Sequence, residues 1–172
     1  MNGKYLFVSR HEFKFSDIKP VRNRHSKPFG GLWTSSFCEE AGSEWLQSQL
    51  CYLADGAKGY VFESDPNSKF LNVDTVAEAL AVLDEYCIEK TTMNRRDGSE
   101  YALGIYKIDF ELMAERFDAI HVKGEAVQIY KQHHGRYSPF ADWSVDSILW
   151  FNTERIKLID TLEYHTLSSL KR

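Results

Sequence analysis

The sequence predicts an α+β fold, a single compact domain over 1–172 built as a mostly antiparallel split sheet with three or four flanking helices. Three observations lead there. Short runs of strand formers are separated by turn-forming clusters such as Ser64-Asp65-Pro66-Asn67-Ser68. Other segments carry apolar residues at helical spacing behind a capping side chain. No internal repeat, low-complexity run or linker divides the chain, and at 172 residues with 43% apolar and 27% charged residues it can bury one core.

Taken in order, Lys4 to His11 is rich in strand formers and ends in Ser9-Arg10-His11, which places a hydroxyl and an imidazole on one face and a guanidinium on the other. Residues 12 to 31 make a long basic connection, of a length that in a small domain usually serves function. Pro28 and Gly30-Gly31 fix a turn at its end, because proline pre-sets φ and glycine takes positive φ without steric cost. Leu32 to Phe37 then reads as a strand with Leu32, Thr34 and Ser36 on one face and Trp33, Ser35 and Phe37 on the other. This strand is expected to line the functional pocket.

Ser43 is placed to cap a helix reaching about Leu53, with Trp45, Leu46, Gln49, Leu50 and Leu53 inward and Asp55-Gly56 as the stop. Tyr60 to Glu63 and Lys69 to Val73 are short strands. Asp74 opens the most regular helix, to about Glu89, with Val76, Leu80, Leu83, Tyr86 and Cys87 at helical spacing. Thr91 to Gly98 reads as a polar loop in which Arg95-Arg96 makes a second small positive patch, and Ala102 to Ile108 as a strand. Asp109 caps a helix through Phe117, and Phe117 to Val122 is a strand entering the core. Gly124 to His134 is ambiguous, with helical spacing over a short span, and Trp143 to Phe151 and Arg155 to Leu162 are the closing strands.

A net charge of −4 and a pI near 5.9 argue against a dedicated nucleic-acid binder, which needs a dense basic surface. The basic residues are nonetheless concentrated early, Arg10, Lys14, Lys19, Arg22, Arg24 and Lys27, as either a solvated loop or a surface that meets phosphate of a dinucleotide or a polynucleotide. Cys38, Cys51 and Cys87 are scattered and fit neither a zinc nor a disulfide framework, and neither a membrane span nor a secretion signal is recognisable, so the cytoplasm is the expected compartment. Aromatic residues at 14% favour a pocket with stacking walls.

Asp146 is the candidate acid. On a strand it shares a face with Ser144 and Ile148, where burial raises a carboxyl pKa and a hydroxyl orients it; the plainer alternative is a strand-end carboxylate bonding backbone amides. The six histidines include the adjacent His133-His134, which on a helix point about 100° apart and so do not form a metal site unaided. Cys38 has no histidine fixed beside it by sequence.

Three separated elements resemble the ADP-ribosyltransferase superfamily: a first strand ending in Arg10-His11, a second carrying Thr34-Ser35-Ser36 after an aromatic, and a late strand with the acid Asp146. The resemblance implies NAD as substrate, with Arg10 or His11 at its ribose or phosphate, the hydroxyl strand shaping the nicotinamide pocket, and Asp146 stabilising an oxocarbenium-like transition state. It further implies nicotinamide against Trp33 or Tyr60 and pyrophosphate on basic side chains including Lys27. The family's late motif is usually Glu-x-Glu or Gln-x-Glu, from which Ser144-Val145-Asp146 departs in its shorter carboxylate and in lacking an acid two residues earlier. Separately, Lys27-Pro28-Phe29-Gly30-Gly31-Leu32-Trp33, with Phe117-Asp118-Ala119-Ile120 and Trp143-Ser144-Val145-Asp146-Ser147, resembles a group of small phage and bacterial proteins carrying a Lys-Pro-x-Gly-Leu-Trp signature, and implies no activity.

The functional expectation is therefore an NAD-consuming enzyme that transfers ADP-ribose to a protein or nucleic-acid acceptor, or hydrolyses NAD. The alternatives are a non-catalytic factor that binds a protein or nucleic acid through the basic N-terminal segment and aromatic surface, and a small-substrate enzyme using Asp146 and a histidine as acid and base.

Overall fold

A computed structural model describes residues 3–25, 27–48, 53–91 and 105–171. In chain order the strands are β1 (Lys4–Ser9), β2 (Leu32–Ser36), β3 (Lys58–Ser64), β4 (Phe70–Val73), β5 (Cys87–Thr91), β6 (Ile105–Ile108), β7 (Ala119–Val122), β8 (Gln132–His133), β9 (Arg136–Tyr137), β10 (Ser147–Trp150) and β11 (Ile156–Leu162). The helices are α1 (Glu44–Gln47), α2 (Val76–Tyr86), α3 (Phe110–Arg116) and α4 (Tyr164–Leu170). Seven strands form one sheet in the order β11-β3-β1-β2-β10-β7-β4, and β5-β6 and β8-β9 form separate two-stranded pairs. Within the large sheet only β4 and β7 run parallel, so the fold is α+β and mostly antiparallel as expected.

Capping explains where the helices start. Thr75, one residue later than Asp74, caps α2, and its hydroxyl accepts from Glu78 N–H while the Glu78 carboxylate returns to the Thr75 N–H, a reciprocal box that satisfies two free amides. The helix ends at Tyr86 and Cys87 already belongs to β5, because pairing with β6 takes over the backbone. Asp109 caps α3 as expected. Ser43 caps α1, which is a single turn: Ser48 is already extended, and Gln49, Leu50 and Cys51 lie outside the described residues. The polar loop with Arg95-Arg96 and the start of the strand at Ala102 also lie outside them.

Two expectations change. Gly124 to His134 is a 3-10 turn over Gly124–Val127 followed by the β8-β9 hairpin, which reverses through His134 and Gly135 at positive φ. The late strand is shorter than Trp143 to Phe151: Ala141–Trp143 is a 3-10 turn, Ser144 stands at φ 70°, and β10 begins only at Ser147. The C-terminal α4 was not foreseen; it places the fully buried Leu167 against Leu6, Leu46 and Val61.

The sheet is curled. From Ser64 to Phe70 the chain passes from β3 to β4, five inter-strand steps apart, which in a flat sheet would be about 24 Å. Six residue steps reach only about 21 Å when fully extended, and these include a turn closed by Ser68 N–H to Asp65 O at 3.0 Å. The ends of the sheet must therefore approach each other, and the Tyr5 ring of β1 stacks 6.2 Å from Phe70 of β4, four strands away. The concave face holds Tyr5, Leu32, Phe62, Ile148 and Trp150, covered by Phe13 and Ile18. The convex face carries two separate helical clusters: α2 and α3 pack on Val73, Ile120, Val122 and Leu149, and α1 and α4 on Leu6 and Val61.

Candidate active site

The site begins with a handover in β2. Leu32, Trp33 and Thr34 pair with Trp150, Leu149 and Ile148 of β10, whereas Ser35 and Ser36 pair with Leu6 and Tyr5 of β1. The sheet thus splits at β2, with β1 leaving one half of the strand and β10 the other. Successive amides of an extended strand point to opposite sides, so with Phe37 N–H donating to Lys4 O of β1, Ser36 N–H points toward the diverging end of β10. A side chain fills that vacancy: Asp146 Oδ1 accepts from Ser36 N–H at 2.9 Å.

Asp146 is buried and saturated with donors. Ser36 Oγ donates to Oδ2 at 3.1 Å, Ser35 Oγ lies 3.4 Å from Oδ1, and His121 Nε2 lies 2.9 Å from Oδ2. Glu44, first residue of α1, accepts from the Asp146 N–H at 3.1 Å and so fixes the backbone as well. Burial opposes the charged form and is the largest single influence. The hydrogen bonds from His121 and the Ser36 amide, the electrostatic attraction of His121 and the Ser36 hydroxyl outweigh it together, holding the carboxyl below its ordinary value of 3.8. The expectation of a raised pKa is therefore corrected, since burial came with three donors. Ser144 plays no part: its hydroxyl turns to Asp142 O.

Ser36, His121 and Asp146 do not form a nucleophilic relay. In such a triad the acid holds one ring nitrogen and the serine the other. Here Ser36 Oγ, at 3.4 Å, and Asp146 meet the same Nε2, and Ser36 also donates to the carboxylate. The arrangement clamps an anion.

Above Asp146 on the convex face, between the two helical clusters, lies a cleft of about 280 Å³. Its walls are Trp33 and Trp143 on one side and Trp45 with Leu6 and Val8 on the other, Ser35 and Asp146 border it, and Lys27 stands at its rim. The Trp33 and Trp143 rings meet edge to face at 4.6 Å, which stiffens that wall. The strap that brings Lys27 here is pinned by close contacts: Gly31 N–H donates to Lys19 O at 2.9 Å, and a Cβ on Gly30 would stand 2.2 Å from Pro20 O. Both glycines have positive φ, so the expected turn is present and only glycine fits it.

The structure sorts the sequence candidates. Trp33, Thr34, Ser35, Lys27 and Asp146 all border the cleft, and Ser36 is joined to Asp146 from beneath. Thr34 Oγ1 also accepts from the buried Trp150 Nε1 at 3.0 Å, a structural duty. Arg10 and His11 are exposed and are not among the described residues that line the cleft. Antiparallel pairing sets Tyr5 against Ser36, which leaves Arg10 five residues farther along the chain, about 17 Å if extended. Tyr60 is buried on the concave face beside Phe7 and Phe13, its hydroxyl donating to His11 O, so it offers no stacking wall to the cleft. In the basic segment Arg22 is ion-paired with Glu111 at 3.0 Å, while Arg24 and Lys27 are exposed.

Sequence reasoning missed His121, Glu44 and Trp143 as parts of this site. His121 was visible only as the polar member of Ala119-Ile120-His121-Val122, an imidazole on one face of an otherwise apolar strand. Among the described residues no group of three or more His, Cys, Asp or Glu side chains could hold a metal ion, and no helix is long and apolar enough to cross a membrane. Comparison of the chain with protein-family models, curated proteins and solved structures returned no match.

Proposed function

We propose that the protein is an NAD-consuming enzyme that transfers ADP-ribose to a protein or nucleic-acid acceptor, with Asp146 as its electrostatic centre. The observation that carries this reading is a carboxylate kept ionised at the border of a tryptophan-walled cleft. A carboxyl with a lowered pKa is a poor proton donor near neutrality, which disfavours acid catalysis and favours stabilisation of positive charge. Cleavage of a nicotinamide glycoside develops such charge. The C–N bond breaks, its electron pair leaves with the pyridine nitrogen, and the ribosyl carbon becomes cationic until the acceptor's lone pair bonds to it and its proton passes to solvent.

The other parts suit the same substrate. Trp33, Trp45 and Trp143 give planar walls for a heteroaromatic ring, and Lys27 offers a cation to the diphosphate at the rim. The Ser35 contact to Asp146 is the longest of the four, 3.4 Å, so it is the one that a ribose hydroxyl can replace at least cost.

The test is nicotinamide release from NAD by the purified protein, with protein, nucleic acid or water as acceptor, against Asp146→Asn. The expected result is release by the wild type and a fall of about 100-fold in the variant. No release with any acceptor overturns the proposal, as does undiminished release by Asp146→Asn.

A further inference from the structure

The concave face holds a second hollow that the chemistry above leaves unused. A cavity of about 300 Å³ opens there, lined by Tyr5, Ser64, Ser68, Phe70, Asn72 and His121, with Asp65 among its remaining lining residues. His121 is the wall behind which Asp146 lies. Its side-chain contacts to Asp146 and Ser36 both run through Nε2. An ionised carboxylate only accepts, so Nε2 carries a proton, and in the neutral imidazole Nδ1 keeps its lone pair. Among the described residues no fully buried side-chain nitrogen or oxygen lacks a partner, so Nδ1 is open to the cavity rather than sealed in protein.

The lining selects a ligand class. Tyr5 is held by Ser64, and burial raises its pKa, so the phenol remains a neutral hydroxyl. Asn72 is exposed on the edge strand β4 and offers both a donor and an acceptor, and the Ser68 hydroxyl makes a long 3.4 Å contact to Arg155 O. Phe70 supplies an aromatic surface among these polar groups. No lysine or arginine is among the described lining residues, whereas Asp65 is, paired at 3.7 Å with Arg155 outside the lining, and Asp146 lies behind the wall. Such a lining offers an anion no cation to pair with. Hydroxyls, one amide, one imidazole acceptor and one aromatic face fit a neutral polyol with an apolar C–H side.

We propose that this cavity is a second ligand site for a neutral monosaccharide, one hydroxyl of which donates to His121 Nδ1 while Asn72, Tyr5 and the serines meet the others. The proposal stands on this lining alone and is independent of the chemistry assigned to the cleft. Its test is a titration of free ribose into protein carrying 15N-labelled histidine, read at the imidazole nitrogens. The expected result is a saturable shift of His121 Nδ1 with a dissociation constant of ~1 mM, weakened about tenfold by Asn72→Leu. Asn72 is exposed, so that change leaves the fold intact, and Ser68→Ala provides a second, milder weakening. A flat titration overturns the proposal, as does a shift equally large at the other histidines or unaffected by both substitutions. Tighter binding of inorganic phosphate than of ribose overturns the assignment to a neutral ligand.

Discussion

On the convex face the Asp146 carboxylate borders tryptophan and leucine side chains with one lysine at the rim, whereas on the concave face His121 borders hydroxyls, an amide and a second carboxylate. A single 2.9 Å hydrogen bond through the split sheet joins the two. The carboxylate borders the apolar side, where a low local dielectric strengthens its field, and the imidazole borders the wet side. The difference teaches that the break in pairing at β2 is what gives both faces a polar group, because a continuous ladder would have satisfied Ser36 N–H with a carbonyl and left no place for Asp146.

The largest effect is expected from the concave core. Trp150 is fully buried, meets Tyr5 and Phe70 at 5.1 Å each, and donates to Thr34. Trp150→Ala should cost about 3–5 kcal/mol in urea unfolding. A cost below ~1 kcal/mol would break the claim that this face holds the curl together.

Next comes the shared pair. Asp146→Asn should lose about 2 kcal/mol, because His121 and Ser36 keep a neutral acceptor but lose a charged one. The sign with pH follows from the lowered pKa of the folded state. The contribution of Asp146 is complete above its unfolded value near 3.8 and disappears as pH falls through the lower folded value. The stabilities of wild type and variant should therefore run parallel near neutrality and converge in acid, as followed by urea midpoints against pH. Parallel curves down to the acid limit would contradict the lowered pKa.

A smaller effect is expected at the cleft rim. Lys27→Ala should weaken NAD binding about tenfold, and less so at high salt, as read by quenching of tryptophan emission. Smallest of all, Arg10→Ala and His11→Ala should change nicotinamide release by less than about twofold, since both side chains are exposed and neither is among the described residues lining the cleft. A loss comparable to that of Asp146→Asn would break the separation of the two ends of β1.

Local chemistry was what the sequence carried well. The Gly30-Gly31 turn, the alternation along β2, the caps of α1 and α3 and the paired stripe of α2 each depend on neighbours a few residues away. Ser35-Ser36 were picked out on their strand, and so was Asp146, 110 residues beyond Ser36, though as a strand member where β10 begins only at Ser147. What remained hidden was non-local. His121 reaches Asp146 only through the β7-β10 pairing, and Glu44 only through the packing of α1; a lone imidazole in an apolar strand marks the first without naming its partner. Arg10 and His11 were singled out for standing at a strand end, but antiparallel pairing decides which end meets the site, and it brought Tyr5. The direction of the Asp146 pKa was misjudged because burial is visible in an apolar neighbourhood and incoming donors are not.

The six-step connection from Ser64 to Phe70 works as a drawstring on the whole sheet. Because it is too short to span flattened strands, curvature here is written into chain length as much as into side-chain packing. Slack introduced between Asp65 and Ser68 would remove that constraint and leave the curl to packing alone.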